Sequence, residues 1–202
     1  MQYIPVLILS LCSILSAVAQ ADMPAAAASC AACHNGAQAT ATGAPALNGQ
    51  HQFYLHKQLQ QWQNGERGRH ADDSRGQQMA AMAATLTADD ITALARYFSA
   101  QPAVEVSEQQ TDAAMLDKGR RLYIGSCGAC HGDKAQGNVA LNAPALNTLT
   151  ADYMALQLSH FKTGVRGTVK TDKPGRQMAV FSRTLSDEDI AAVSVFISAG
   201  KW

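Results

Sequence analysis

Two short stretches hold almost all the residues able to do redox or metal chemistry. "SCAACHNG" covers residues 29–36 and "SCGACHGD" covers 126–133, so Cys30-x-x-Cys33-His34 returns as Cys127-x-x-Cys130-His131. The fifth cysteine, Cys12, lies far from both, inside an apolar leader. Four chemistries use such a pattern: a zinc site, a thiol redox couple, a structural disulfide, or a haem held by two thioethers. Zinc would find three adjacent ligands per motif and would have to share a site between two copies to complete a tetrahedron. A thioredoxin-like couple needs a strand before the motif and a βαβ context, which the sequence lacks. A disulfide leaves the repeated histidine without a reason. Covalent haem uses every residue: two thiols for the two vinyl groups, with the adjacent imidazole reaching the iron. Cys30, Cys33, Cys127 and Cys130 are thus the expected attachment residues, and His34 and His131 the expected iron ligands.

The elements that must position these residues come twice. With Pro45 set against Pro144, an offset of 99 residues, Tyr54 falls on Tyr153, Gln58 on Gln157 and Arg67 on Arg166. Further along the same register, Met79 meets Met178 and Leu86 meets Leu185. The cysteine motifs are offset by 97, Cys30 against Cys127, so the second copy carries two extra residues before Pro144. Two homologous units are the economical reading. Each reads as helical, with Phe53, Leu55, Leu59 and Trp62 along one side of a helix over about 51–64. Ile91, Leu94, Ala95 and Phe98 mark the last helix of the first unit, and Ile190, Val193 and Ile197 that of the second. Thr87 and Ser186, each followed by carboxylates, predict N-caps for these last helices. Residues 101–115 are polar and read as a linker running into a helix that starts near Asp112.

The paired methionines decide the sixth ligand. Met79 and Met178 each stand eight residues before a predicted N-cap, and no other methionine pair coincides; Met82 faces Phe181 and Met154 faces Leu55. His51, His56, His70 and His160 fall on Thr150, Ala155, Val169 and Gln61, so bis-histidine ligation would need a different design in each unit. These four read as surface or hydrogen-bonding residues, with His70 the alternative to Met79. A thioether cap leaves no open position for substrate and raises the potential.

The chain opens on an apolar run from Ile4 to about Val18, followed by small residues, which reads as a secretory signal cleaved after Ala19 or Ala21; an uncleaved anchor is the alternative. The preceding Leu11 argues against lipidation at Cys12. Export suits covalent haem attachment, and about 180 of the 202 residues remain. The formal charge is balanced at +0, so bulk composition points neither to nucleic acid nor to an anionic membrane. Locally, Lys162, Arg166, Lys170, Lys173 and Arg176 stand against the single acid Asp172. That excess predicts a docking side for an acidic partner near the second haem.

These residues together resemble the dihaem cytochrome c4 family, tandem class I cytochromes c. The likeness runs through both motifs, "PALNGQ", "YLHKQL" with "YMALQL", the Gly-x-Arg segments, and "MAAMAATLTADDITALARYF" with "MAVFSRTLSDEDIAAVSVFI". It implies an all-α fold of two tandem class I cytochrome c-like domains, each enclosing one covalently attached haem. The divisions expected are a signal peptide at 1–21, domain 1 at 22–101, a linker at 102–114 and domain 2 at 115–202. It implies two covalently bound haem c groups, with iron held by His34 and Met79 and by His131 and Met178. Pro45 and Pro144 match the family proline whose carbonyl supports the proximal histidine, and Gly119 and Tyr123 match the helix that packs on the last one. The first unit has only "DMPAAAASCAACH" there, so its own amino-terminal helix must be short or missing.

The function implied is that of a periplasmic electron carrier, not an enzyme, passing electrons between its haems across the domain interface. Expected partners are redox proteins, a quinol-oxidising complex upstream and a terminal oxidase or reductase downstream, with peripheral association at the membrane allowed. The rival reading is the dihaem cytochrome subunit of a periplasmic dehydrogenase or sulfide-oxidising flavocytochrome; a dihaem peroxidase fits poorly with two capped irons.

Overall fold

A computed structural model describes residues 23–104 and 111–202. The signal reading and the middle of the linker lie outside the described residues. Regular structure among the described residues is helical apart from one antiparallel bridge, Asn138 to Ala143. None of those helices is long and apolar enough to cross a membrane.

In the first unit α1 (Ala27–His34) carries the first cysteine motif, and α2 (Gly36–Thr42) follows it directly. Next come α3 (Gln52–Gln63), α4 (Ser74–Ala83) and α5 (Ala88–Ala100). The second unit opens with α6 (Ala113–Leu122), runs through a π-helical turn (Tyr123–Cys127) into α7 (Gly128–His131), and so delivers the second motif at the end of a nearly continuous helix. A short 3₁₀ turn (Val139–Leu141) leads to α8 (Ala151–Thr163), α9 (Lys173–Ser182) and α10 (Asp187–Ala199).

Local chemistry accounts for the starts of these helices. Thr87 and Ser186 each accept from the backbone N–H three residues on, while Asp90 and Asp189 reach back to the cap N–H, forming two reciprocal capping boxes. Asp73 and Asp172 cap α4 and α9, the helices that bear Met79 and Met178.

Each unit folds around its last helix. Leu94, Ala95 and Phe98 of α5 pack with Leu55 of α3 and Ala27 of α1. Val193, Phe196 and Ile197 of α10 pack with Tyr123, Leu149 and Met154. A side chain at Gly119 would run into the Ala192 carbonyl and the Phe196 side chain, so α6 and α10 cross at glycine contact distance.

No described helix before α1 plays the part of α6 in the first unit. On α10 the residues that meet α6, Ala192 and Phe196, are buried, whereas their α5 equivalents, Ala93 and Tyr97, are half-buried.

Candidate haem centres and the interface between them

The proximal side is built the same way in both units. His34 Nδ1 lies 2.7 Å from the Pro45 carbonyl and His131 Nδ1 2.9 Å from that of Pro144. A carbonyl only accepts, so Nδ1 must carry the proton and Nε2 presents a free lone pair. Both rings are buried, and burial lowers their pKa more than the carbonyl hydrogen bond raises it. Each is therefore held as a neutral imidazole in the tautomer that binds a metal through Nε2. The thiols tell against a reactive redox couple: burial raises Cys30, and burial with the neighbouring Cys130 pushes Cys127 up to about 11. Redox couples need the opposite shift.

In the second unit Cys127, Cys130 and His131 line one cavity, and Met178 of α9 lines it too. Leu146, Leu149, Met154, Leu158, Val193 and Ile197 make its walls apolar. The cavity is open to solvent on one side, and its apolar walls suit a large flat macrocycle. Phe181 and Leu141 at its edge are 51% exposed each, so part of the rim faces water. In the first unit Cys30 packs on the core cluster, His34 is buried against Pro45, and Met79 is half-buried on α4. In the second unit the equivalent side chains share one apolar cavity whose donors fit a haem.

One end of the cavity runs into the interface between units, reaching Tyr54, Lys57 and Gln58 of α3 as well as Gln157, Arg166 and Asp172. That interface has approximate two-fold symmetry. Arg67 donates to Gln58 Oε1 of its own unit and to Gln157 Oε1 at 3.1 Å across it. Arg166 reciprocates, donating to Gln157 Oε1 and Gln58 Oε1, both at 2.7 Å, and to Tyr54 Oη at 3.1 Å. The pattern extends outward, with the Arg67 guanidinium 4.3 Å from the Trp62 ring centre and that of Arg166 4.5 Å from Phe161. Asp73 faces His160 at 3.9 Å, while Asp172 bonds Gln61 at 2.9 Å and Lys57 at 2.5 Å.

Three cations here, Lys57, Arg67 and Arg166, meet two carboxylates, Asp73 and Asp172. Burial, with Arg166 close by, lowers the Arg67 pKa to about 10, so both guanidiniums stay charged at neutral pH. Burial works against ionisation of Tyr54, but Arg166 and Arg67 outweigh it and hold the phenol below its usual range. Two buried polar hydrogens, on Arg67 Nε and Trp62 Nε1, find no partner. The interface thus has a surplus of positive charge and donors beside the cavity.

Two expectations change. Arg166, counted above with the basic docking stretch, is half-buried and bonded across the interface; Lys162 is bonded to Asp187 at 2.8 Å and Asp172 is shared with Lys57. Only Lys170, Lys173 and Arg176 of that stretch remain exposed. His160, read as a surface or hydrogen-bonding residue, is buried between the units. The apolar spacing of α3 does not show Tyr54, Gln58 and Gln61 as an interface. The signal was available, because the tyrosine, glutamine and arginine repeat in register.

The cytochrome c family model matches this chain twice, at residues 24–102 and 116–201. Cytochrome c4 of Azotobacter vinelandii is 32% identical over 85% of this chain and 84% of its own length. A thiosulfate dehydrogenase electron acceptor of Thiomonas intermedia is 33% identical over 89% of this chain and 82% of that protein. Among solved structures, reduced recombinant cytochrome c4 of Pseudomonas stutzeri superposes with a TM-score of 0.68 at 29% identity, covering 85% of this chain and 93% of that one. With two helical haem-binding units in tandem, the chain belongs to the cytochrome c family as a dihaem electron-transfer cytochrome of the c4 kind, carrying two covalently bound haem c groups.

Proposed function

We propose that the protein is an exported, periplasmic one-electron carrier whose first iron is held by His34 and Met79 and second by His131 and Met178, with Cys30, Cys33, Cys127 and Cys130 as the thioether residues. The observation that carries this reading is the convergence of Cys127, Cys130, His131 and Met178 on one apolar cavity. A bound haem supplies reversible one-electron chemistry. The chain's own residues do the rest. Pro144 fixes the His131 tautomer, the apolar walls would exclude water from a bound haem, and Met178 would deny substrate access to its iron.

Arg166, Lys57 and Tyr54, at the interface end of the cavity, are the residues to receive propionate carboxylates, which would satisfy the positive surplus there. The same interface keeps the two centres adjacent. Lys170, Lys173 and Arg176 form an exposed basic patch at the start of the methionine-bearing helix, suited to an acidic redox partner.

A second reading, that the chain serves as the acceptor subunit of a periplasmic dehydrogenase, draws support from the relative named a thiosulfate dehydrogenase electron acceptor and from the uncovered side of α5, where Tyr97 is half-buried beside Arg96. Native isolation without crosslinker distinguishes the two: a carrier runs as a free chain, an acceptor subunit with its dehydrogenase. The ligand reading is tested by quantifying haem as pyridine haemochrome and adding carbon monoxide to the reduced protein. Two haems per chain with no rapid carbon monoxide binding are expected; ready binding would mean that an iron is not capped by methionine.

A further inference from the structure

The proximal loop of the second haem is held by a residue of the first unit. Gln50, 2% exposed, makes two hydrogen bonds across the interface. Its Nε2 donates to the Ala145 carbonyl at 2.8 Å, and its Oε1 accepts from the Ala145 N–H at 3.0 Å. The His51 N–H, at 2.9 Å, also donates to that oxygen and keeps the amide oriented.

The Ala145 N–H belongs to the same peptide group as the Pro144 carbonyl, and that carbonyl accepts from His131 Nδ1. A hydrogen bond accepted from one end of a delocalised peptide group makes its oxygen a better acceptor at the other end. A stronger acceptor on Nδ1–H makes Nε2 more electron-rich, which favours ferric over ferrous iron. The chain of contacts from Gln50 Oε1 through the Pro144–Ala145 peptide to His131 therefore acts on the second iron.

Among the described residues no counterpart is built in the other direction. The position equivalent to Gln50 in the second unit is Leu149, a core residue whose side chain has no acceptor. The relay is one departure from the approximate two-fold symmetry of the interface.

We propose that Gln50 is a positioning residue that couples the first unit to the proximal ligand of the second haem and holds that haem's reduction potential down. This rests on the assignment of His131 made above.

The test uses the dihaem protein and the variants Gln50→Leu and Gln50→Glu, with both midpoint potentials measured by spectroelectrochemistry and each haem assigned through its hyperfine-shifted methionine methyl. Gln50→Leu should raise the second reduction equilibrium constant about threefold to tenfold, the upper value being about 59 mV for one electron, and leave the first unchanged. Gln50→Glu keeps an acceptor for the Ala145 N–H and should give no rise. Equal shifts of both potentials, no shift in Gln50→Leu, or an equal rise in both variants would overturn the proposal, since loss of adhesion alone predicts those patterns. Amide exchange in the unaltered protein adds a check independent of any variant's folding: Ala145 should exchange more slowly than Ala46, and equal rates would also overturn it. The ligand assignment fails separately, if His131→Ala retains a normal low-spin second haem.

Discussion

Replacing Arg166 with methionine tests the interface as a source of stability, and the expected size follows from what is left behind. Arg166 donates to Gln157, Gln58 and Tyr54, the last two across the interface. After the substitution both glutamine oxygens still accept from Arg67, so neither is stranded. Tyr54 Oη alone loses this partner, at about 1–3 kcal/mol for an unsatisfied buried group. Loss of the charged hydrogen bonds adds to that, and the returned cost of burying a guanidinium offsets part of it. The net destabilisation is about 2–4 kcal/mol. Arg67→Met should cost about 1 kcal/mol less, because Arg67 already leaves its buried Nε unpartnered and burial depresses its pKa. Guanidinium unfolding followed by haem absorbance and by far-ultraviolet circular dichroism measures both variants. A change below about 0.5 kcal/mol for Arg166→Met, or a larger loss for Arg67→Met, would refute this account of the interface.

Three further outcomes follow from other contacts. Burial alone would raise the Asp172 pKa, but hydrogen bonds from Lys57 and Gln61 outweigh it and hold the carboxyl below its usual value. Its contribution is then complete above the unfolded value of about 3.9 and is lost as pH falls through the lower folded value; Lys57→Met should move that acid loss to higher pH in a thermal-melt series, and an unmoved profile would exclude the pair. Gly119→Ala should destabilise the second unit by about 2–3 kcal/mol, because the added methyl meets the Ala192 carbonyl, whereas wild-type stability would mean that α6 and α10 do not cross closely. Lys170→Glu combined with Lys173→Glu should slow reduction by an acidic redox protein about tenfold at low ionic strength and flatten its salt dependence, so an unchanged salt slope would remove the patch as a docking site.

What the sequence made legible was what repeats or follows local rules. The two N-caps came from a hydroxyl followed by carboxylates in the first turn, and the last helices from their apolar spacing. The tandem repeat followed from the register of Tyr54, Gln58 and Arg67 with their second copies, and the all-helical fold from apolar spacing together with the family likeness. The contact of His34 with Pro45 and of His131 with Pro144 was expected only through the family likeness, since nothing in the residues between them dictates how the loop closes. The polar side of α3 was missed because helical periodicity scores apolar burial, while Gln58 and Gln61 are buried, and Tyr54 half-buried, by pairing with polar groups of the other unit. Arg166 was misplaced for a related reason: counting charge along a stretch cannot tell an exposed cation from one bonded to two glutamines and a tyrosine. Gln50 left no trace in the repeat, because its equivalent is Leu149 and its partners are backbone atoms.

The most direct test of the central claim is the far-red charge-transfer band between methionine sulfur and ferric iron, recorded for the dihaem protein and for Met79→Ala and Met178→Ala. The account predicts full intensity for two sites in the unaltered protein and about half in each variant, because each substitution uncaps one of two equivalent irons. Full intensity retained in either variant would contradict the assignment of that methionine, and a band of half intensity in the unaltered protein would mean that one unit binds its iron differently.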